Sequence, residues 1–206
     1  MRISHKNKFI FLSNPKTGST TVREILDPYS DIKSSNKKPF VHHIEAVQLK
    51  NIFIKNGWNW DEYYKFTFIR NPYEKYVSQY FFSAPDNNFK RQFDKGYNKK
   101  KAFSVSFKEW LKYHDNMKIL PVGIRDIKQF AFDNNGNMLV NKIIKLEEIN
   151  TELPKILNKL NINHNKIIKK INTTNHKNYR QYYDEECIKI VQKYMSNDIE
   201  IGNYEF

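Results

Sequence analysis

The sequence predicts an α/β protein with a mainly parallel central sheet flanked by helices, and three observations support this. Two apolar, aromatic runs of strand length occupy residues 9–12 and 64–70. Each run is followed by a turn and then by apolar residues at helical spacing, and further segments of both kinds follow. Strands that alternate with helices form sheets of this class. A chain of 206 residues can build one substantial core, so we expect a single domain over residues 1–206.

The loop after the first predicted strand is a candidate anion site. Residues 15–21 read Pro-Lys-Thr-Gly-Ser-Thr-Thr, and Val22, Ile25 and Leu26 then predict a helix. A strand, loop and helix in this order direct backbone N–H groups at one point, which suits phosphate or sulfate. The order of lysine and glycine differs from that of a Walker A loop. An ordinary helix cap made by the serine and threonines is the alternative.

Two adjacent histidines, His42 and His43, follow a polar segment at residues 27–39 that we expect to be a surface loop. They precede a predicted helix over residues 44–55, which ends at an Asn-Gly pair. A histidine here is a candidate general base, and a plain surface or core histidine is the alternative. Neighbouring side chains rarely converge on one ion, and no carboxylate stands at ligand spacing, so we expect no metal.

The second predicted strand ends at Arg70 and leads into a helix. Asn71 is the expected N-cap, with Pro72 at the first helical position and a glutamate that completes a capping box. The helix then buries one stripe, made of Tyr73, Tyr76, Val77, Tyr80 and Phe81. Arg70 and Ser78 are candidates to bind a second phosphate. The alternatives are a buried structural arginine and a solvated helix serine.

The rest of the chain predicts short helices over 107–113, 153–160 and 185–195, and a strand over 143–146. Residues 82–105 carry many lysines among aromatic residues. This stretch is a candidate flap over an acidic acceptor, and a solvated loop is the alternative.

The composition indicates which partners and which cellular compartment to expect for the protein. The net charge of +13 favours anionic partners, although a general bias towards lysine and asparagine explains it equally well. The single cysteine, Cys187, fits a reducing compartment and a small apolar role in a helix. No stretch has the length of a membrane span or the pattern of a signal peptide. We therefore expect a soluble, cytoplasmic protein without stable membrane insertion.

Two motifs resemble those of one enzyme family. Residues 15–21 resemble the loop that holds the 5′-phosphosulfate of 3′-phosphoadenosine 5′-phosphosulfate (PAPS) in sulfotransferases. Residues 70–80, Arg-Asn-Pro-Tyr-Glu-Lys-Tyr-Val-Ser-Gln-Tyr, resemble the 3′-phosphate motif of that family. The segment from His43 and the tail at 176–183 and 198–206 are similar to carbohydrate sulfotransferases of the chondroitin 4-O type and their bacterial relatives.

The resemblance implies the P-loop-like sulfotransferase fold. It also implies an enzyme that moves a sulfuryl group from PAPS to an acceptor hydroxyl, on a carbohydrate, by in-line displacement and without a metal. His43 is then the general base, because its ordinary pKa lies near working pH. The isoleucine and glutamate that follow it depart from the small or hydroxyl residues usual in the family, so Glu45 is a rival base.

The resemblance also assigns the donor contacts. Lys16 stabilises the charge that develops as PAP, the desulfated nucleotide, leaves. The residues that bind the 5′ end are Pro15, Lys16, Thr17, Gly18, Ser19, Thr20 and Thr21. Arg70 and Ser78 bind the 3′-phosphate, and Tyr179 and Arg180 close over the nucleotide or the acceptor.

Two other functions remain open on the residues alone. A P-loop-type kinase that uses ATP lacks support, because neither the Gly-Lys-Ser/Thr order nor an aspartate for Mg²⁺ after an apolar strand is present. A nucleic-acid-binding module fits the charge and the aromatic residues, but no RNP, helix-turn-helix or zinc pattern accompanies them. We therefore expect no nucleic-acid partner.

Overall fold

A computed structural model describes residues 1–83, 105–163 and 176–206. The chain divides into two compact units. The first contains Met1–Arg70 and Ile127–Asn172, and the second contains Asn71–Asp126 and Thr173–Phe206. The expectation of a single domain stays a prediction. Most of the lysine-rich flap predicted at 82–105 lies outside the described residues.

A five-stranded sheet forms the centre of the first unit, in the order β3-β1-β2-β4-β5. The strands are β1 (Arg2–Ser4), β2 (Phe9–Leu12), β3 (Ile32–Lys33), β4 (Tyr64–Ile69) and β5 (Lys142–Lys145). Strands β2, β4 and β5 pair in parallel, while β1 is antiparallel to β2 and to β3. All strands except β1 therefore run in one direction. The predicted α/β class with a mainly parallel sheet is confirmed.

The described helices are α1 (Ser19–Leu26), α2 (Ala46–Lys55), α3 (Pro72–Ser83), α4 (Phe107–Asn116), α5 (Ile127–Ala131), α6 (Ile149–Lys159), α7 (Glu185–Tyr194) and α8 (Ser196–Gly202). None of these helices is both long enough and apolar enough to span a bilayer.

One face of the sheet packs against α1 and α6. The alternate residues of β2 and β4 supply this face, because side chains on a strand point to opposite sides in turn. The aromatic members are Phe9, Phe11, Phe66 and Phe68, all with no exposed surface. They pack with Val22 and Leu26 of α1 and with Leu153, Ile156 and Leu157 of α6. This apolar contact fixes the direction in which α1 leaves the loop after β2.

Several predicted boundaries differ from those in the structure. Helix α2 begins at Ala46 instead of residue 44, because Glu45 is extended (φ −75°, ψ 153°). Helix α6 begins at Ile149, four residues before the predicted start, and contains Pro154. The segment 27–39, predicted as a loop, contains β3. Strands β1 and β3 were missed because three and two residues are too few to show a strand pattern.

The second unit is built around α3. Asn71 Oδ1 accepts hydrogen bonds from the N–H groups of Tyr73 (3.0 Å) and Glu74 (3.3 Å), so the predicted N-cap is confirmed. Of the predicted apolar stripe, Tyr73, Tyr76 and Val77 are buried and pack with residues of α4 and α7 such as Trp110 and Val191, while Tyr80 and Phe81 are partly buried against the same cluster. The polar residues Lys75, Ser78 and Gln79 are buried as well, so burial of this helix extends beyond the single predicted stripe.

A buried ion pair joins α3 to α8 within the second unit. Lys75 Nζ lies 3.4 Å from Asp198 Oδ1, and neither side chain has any exposed surface. The same ammonium donates to the carbonyl oxygen of Arg125 at 2.7 Å. A charge in this position is tolerated only with its partner, because the protein interior solvates ions poorly. The tail segment that contains Asp198 therefore supports the helix of the second motif.

We expect Lys75→Met to lower the free energy of unfolding by about 3–5 kcal/mol, because Asp198 loses its lysine in a buried site. Urea unfolding followed by circular dichroism measures the change. Lys193→Met is the matched control, since Lys193 pairs with Asp115 at 2.7 Å but its side chain is 58% exposed. The control should lose less than about 1 kcal/mol. Equal losses in the two variants would contradict a structural role for the buried pair.

Candidate functional site

The donor loop, residues 13–18, connects the carboxyl end of β2 to the start of α1. Two of its residues have left-handed backbone conformations, Lys16 with φ +62° and Gly18 with φ +67°. A lysine is uncommon in this region, and such strained residues collect at binding sites. Left-handed residues next to a helix N-terminus also turn successive N–H groups towards one point. The loop therefore has the backbone form of an anion site.

A glycine suits position 18 because its backbone has a φ of +67°, a conformation that other residues adopt with strain. A Cβ added there would lie 2.7 Å from Cδ1 of Leu146, which follows β5. The loop therefore lies against the side chain of Leu146, and a larger residue at position 18 would require this leucine to move.

Hydrogen bonds tie the donor loop to the end of β4. Leu12 pairs with Thr67 in the sheet, and the Thr67 hydroxyl donates to the Leu12 carbonyl at 2.8 Å. Asn14 Nδ2 donates to the carbonyl of Phe68 at 3.0 Å. Beyond β4, Arg70 Nη1 donates to the carbonyl of Lys16 at 3.3 Å. The structure therefore brings the loop and Arg70 together, as parallel neighbours at one sheet edge require.

The hydroxyl residues at positions 17–21 differ in their burial and in their hydrogen-bond partners. The Thr17 hydroxyl is fully buried and donates to the Asn14 carbonyl at 2.9 Å, so it stabilises the turn. Ser19 and Thr21 are buried at the start of α1, and Thr20 Oγ1 accepts from Arg23 Nη2 at 3.1 Å. Pro15 is buried beside them. A contribution of Thr17 to anion binding therefore comes from its backbone N–H.

His43 contacts the donor loop directly. Its Nδ1 lies 2.7 Å from the backbone carbonyl of Ser13. A carbonyl only accepts, so Nδ1 carries the proton and a neutral ring has an unprotonated Nε2. The residue is exposed at the surface. His43 is therefore held as a neutral imidazole whose basic nitrogen can reach a bound molecule.

The pKa of His43 is lowered from 6.5 towards about 4, first by the protein atoms around the ring and then by positive charges that include Arg23 and His42. The hydrogen bond to Ser13 opposes this shift. The residue is also exposed to solvent, and solvent access reduces the penalty for the charged ring.

The lowered pKa predicts the acid side of the pH profile. The predicted general base must be unprotonated, so with a pKa below 6.5 His43 would serve in this role to a lower pH than an ordinary histidine. We expect kcat/KM to fall only as the pH drops through a value between about 4 and 6.5. Arg23→Gln should move this limb upwards, because a positive charge near the ring is removed. A limb above pH 7 that Arg23→Gln leaves in place would contradict the assignment.

Arg23 was missed in the sequence. Its guanidinium bridges Thr20 of α1 and His42, with Nη1 3.2 Å from His42 Nδ1. Ser34 Oγ lies 2.9 Å from the same ring nitrogen. The contact of Arg23 with Thr20 could have been predicted, because the two residues are three positions apart on one helix. The contact of Arg23 with His42 depends on the path of residues 27–41, which no sequence pattern indicates.

Glu45 is the N-cap residue of α2 and is half-buried. Its carboxylate accepts a hydrogen bond from Gln48 Nε2 at 3.4 Å. The histidine and the glutamate, the two predicted candidates for the base, thus stand on one short segment.

Ser78, Tyr179 and Arg180 belong to the second unit. Ser78 is 4% exposed, which excludes a solvated helix serine. Tyr179 stacks on Tyr73 with ring centres 6.5 Å apart, and the Arg180 guanidinium lies 4.9 Å from the Tyr179 ring centre. These contacts hold the segment Tyr179–Tyr182 against α3. Their predicted nucleotide contacts stay predictions.

The described ranges contain no group of three or more His, Cys, Asp or Glu side chains placed to hold a metal ion.

Comparison with known proteins identifies the family. A model of the sulfotransferase family matches residues 1–205. The chain therefore belongs to the sulfotransferase family. Among solved structures, it is similar to mouse sulfotransferase SULT7A1 complexed with PAP, with a TM-score of 0.55 and 13% sequence identity over 98% of this chain and 91% of that one. At this identity the likeness shows the fold alone. No curated protein sequence matches significantly.

Proposed function

We propose that this protein transfers a sulfuryl group from PAPS to a hydroxyl of a carbohydrate acceptor, with His43 as the general base. The observation that carries the proposal is the hydrogen bond of 2.7 Å from His43 Nδ1 to the Ser13 carbonyl. This bond brings a neutral imidazole to the loop whose form suits an anion. The mouse relative was crystallised with PAP, which supports the choice of donor.

The residues present fit the two anionic ends of the nucleotide. The donor loop offers left-handed residues, a glycine and a helix N-terminus to the 5′ end. Arg70 follows β4 at the same sheet edge and is half-buried, as a residue that binds the 3′-phosphate should be. We also propose that Ser78 binds the 3′-phosphate and that Tyr179 and Arg180 cover the nucleotide or the acceptor.

The chemistry is an in-line displacement at sulfur. The acceptor oxygen forms a bond to sulfur, the bond from sulfur to the PAP oxygen breaks, and His43 Nε2 takes the hydroxyl proton. Lys16 and the N–H groups of the loop stabilise the negative charge that collects on the departing oxygen. Positive charge from the protein itself replaces a metal in this proposal.

Transfer of labelled sulfur tests the function. The protein is incubated with sulfur-labelled PAPS and a panel that contains acidic glycans, neutral glycans, simple alcohols and a tyrosine peptide. We expect label on a glycan and one PAP released for each group transferred. Labelling of the peptide or of simple alcohols alone would contradict the carbohydrate acceptor. Phosphate transfer from ATP–Mg²⁺ without sulfuryl transfer would instead favour the kinase alternative.

A further inference from the structure

A polar cavity lies in the first unit, at the amino ends of β4 and β5. Its volume is about 350 Å³, within the usual range for small-molecule sites. The polar side chains that line it belong to Lys50, Asp61, Lys65, Asp133, Asn137 and Asn141. The donor loop follows the carboxyl ends of the strands, so this cavity occupies the opposite sheet edge. Lys65 and Ile69 are four positions apart on β4, a distance of about 13 Å along the strand.

Lys65 is the unusual member of this cavity. Only 6% of the residue is exposed, yet Nζ makes one hydrogen bond among the described residues, at 3.1 Å to the carbonyl of Trp60. The ammonium also lies 5.4 Å from the centre of the Trp60 ring. An ammonium carries three donors, so two of its hydrogens are available to a ligand. Burial lowers the pKa of Lys65, and the Asp61 carboxylate acts in the opposite direction.

The other polar groups divide into those that shape the cavity and those that face a ligand. Asp133 is used by its own turn, because it accepts from the N–H groups of Asn135 and Asn137. Asn141 Oδ1 accepts from the backbone N–H of Lys65 at 2.8 Å, which leaves its amide N–H₂ for a ligand. Lys50 adds a second positive charge, and Asp61 adds an exposed carboxylate.

We propose that this cavity binds a hydroxylated anion of the size of one sugar unit, namely an acidic monosaccharide or such a unit within a glycan. Lys65 and Lys50 bind its acidic group, and Asn141 donates to the same group or to a ring oxygen. Asp61 accepts from its hydroxyl groups. The two lysines favour an acidic group, and the carboxylate favours hydroxyl groups. The cavity should therefore bind a uronic acid more tightly than a bare anion or a neutral sugar.

The site is a binding site and takes no part in sulfuryl transfer, because the base and the donor loop lie at the other sheet edge. It can therefore hold a sugar unit while the transfer site is empty. The inference does not depend on the proposed function, and its test needs no PAPS.

Calorimetric titration tests the site. The probes are glucuronate, glucose and inorganic sulfate, applied to the wild type, Lys65→Met, Lys50→Met and Lys55→Met. Lys55 lies on the same helix as Lys50 and is exposed, outside the cavity, so Lys55→Met is the matched control. We expect glucuronate to bind at least tenfold more tightly than glucose or sulfate. Both cavity variants should lose at least tenfold, and the control should equal the wild type.

Each contrary result overturns a defined part of the inference. Absence of glucuronate binding, or binding that survives both cavity substitutions, would show that the cavity is not a binding site for this ligand. If sulfate bound as tightly as glucuronate, the cavity would be an anion site without specificity for a sugar. Lys65→Met should also unfold at the same temperature as the wild type or higher, because a methionine avoids a poorly compensated buried charge. If this variant fails to fold, Lys50→Met alone decides the outcome.

Discussion

Replacement of His43 by alanine should lower kcat for sulfuryl transfer by about 10²–10⁴-fold, with little change in the affinity for PAP. The reason is that the variant keeps the donor loop but loses the group proposed to take the acceptor proton. The hydrogen bond from Nδ1 to Ser13 leaves Nε2 as the reacting nitrogen in the wild type. Steady-state rates with the best acceptor, together with a separate titration of PAP, measure the two quantities.

Three controls make this result specific. Added imidazole should restore part of the activity of His43→Ala, because it can enter the space that the ring leaves and accept the proton. His5→Ala removes a histidine in contact with Tyr63 at the amino edge of β2, and it should keep normal rates. Glu45→Gln should keep most activity. Near-normal turnover of His43→Ala with a collapse in Glu45→Gln would transfer the role of base to the glutamate.

Lys16→Ala should lower kcat by about 10²–10³-fold, the usual cost of removing one group that stabilises developing charge. Ground-state binding of PAP should fall less, because the loop N–H groups remain. The backbone of Lys16 has φ +62°, and alanine tolerates this conformation no better than lysine. A matched control must therefore share the backbone strain.

Lys8→Ala supplies that control. Lys8 also has a left-handed backbone, with φ +50°, and lies in the turn between β1 and β2. Its side chain pairs at the surface with Glu62, so its loss should leave both kcat and stability nearly unchanged. If Lys16→Ala lost no more activity than Lys8→Ala, the charge of Lys16 would have no catalytic role.

The sequence predicted those parts of the fold that local pattern determines. Strands β2 and β4 are aromatic runs, and α3 carries both an N-cap and an apolar stripe. Strands β1 and β3 become visible only through pairing, as where Ile3 lies opposite Ile10. The ion pair of Lys75 and Asp198 joins residues 123 positions apart. A lysine inside a helix is normally read as exposed, so no sequence pattern indicates this contact.

The same limit applies to the site. Lys16, Gly18 and Arg70 were predicted because they stand at the ends of recognisable strands, and parallel pairing then brings those ends together. The contact of His43 with a backbone carbonyl cannot be read from side-chain types. Arg23 and Lys65 were missed for a related reason, since the identity of a basic residue says nothing about what its charge meets in the folded chain.

The central claim is that the two motifs bind one nucleotide, and thermal unfolding with PAP tests it most directly. At about 100 times its dissociation constant, PAP should stabilise the wild type by about 2.7 kcal/mol and raise Tm by about 5–10 °C. Arg70→Ala should lose most of this rise, whereas Arg125→Ala, which removes an exposed arginine outside the loop, should keep it. A rise that Arg70→Ala retains in full, or a response to ATP–Mg²⁺ in place of PAP, would contradict the account.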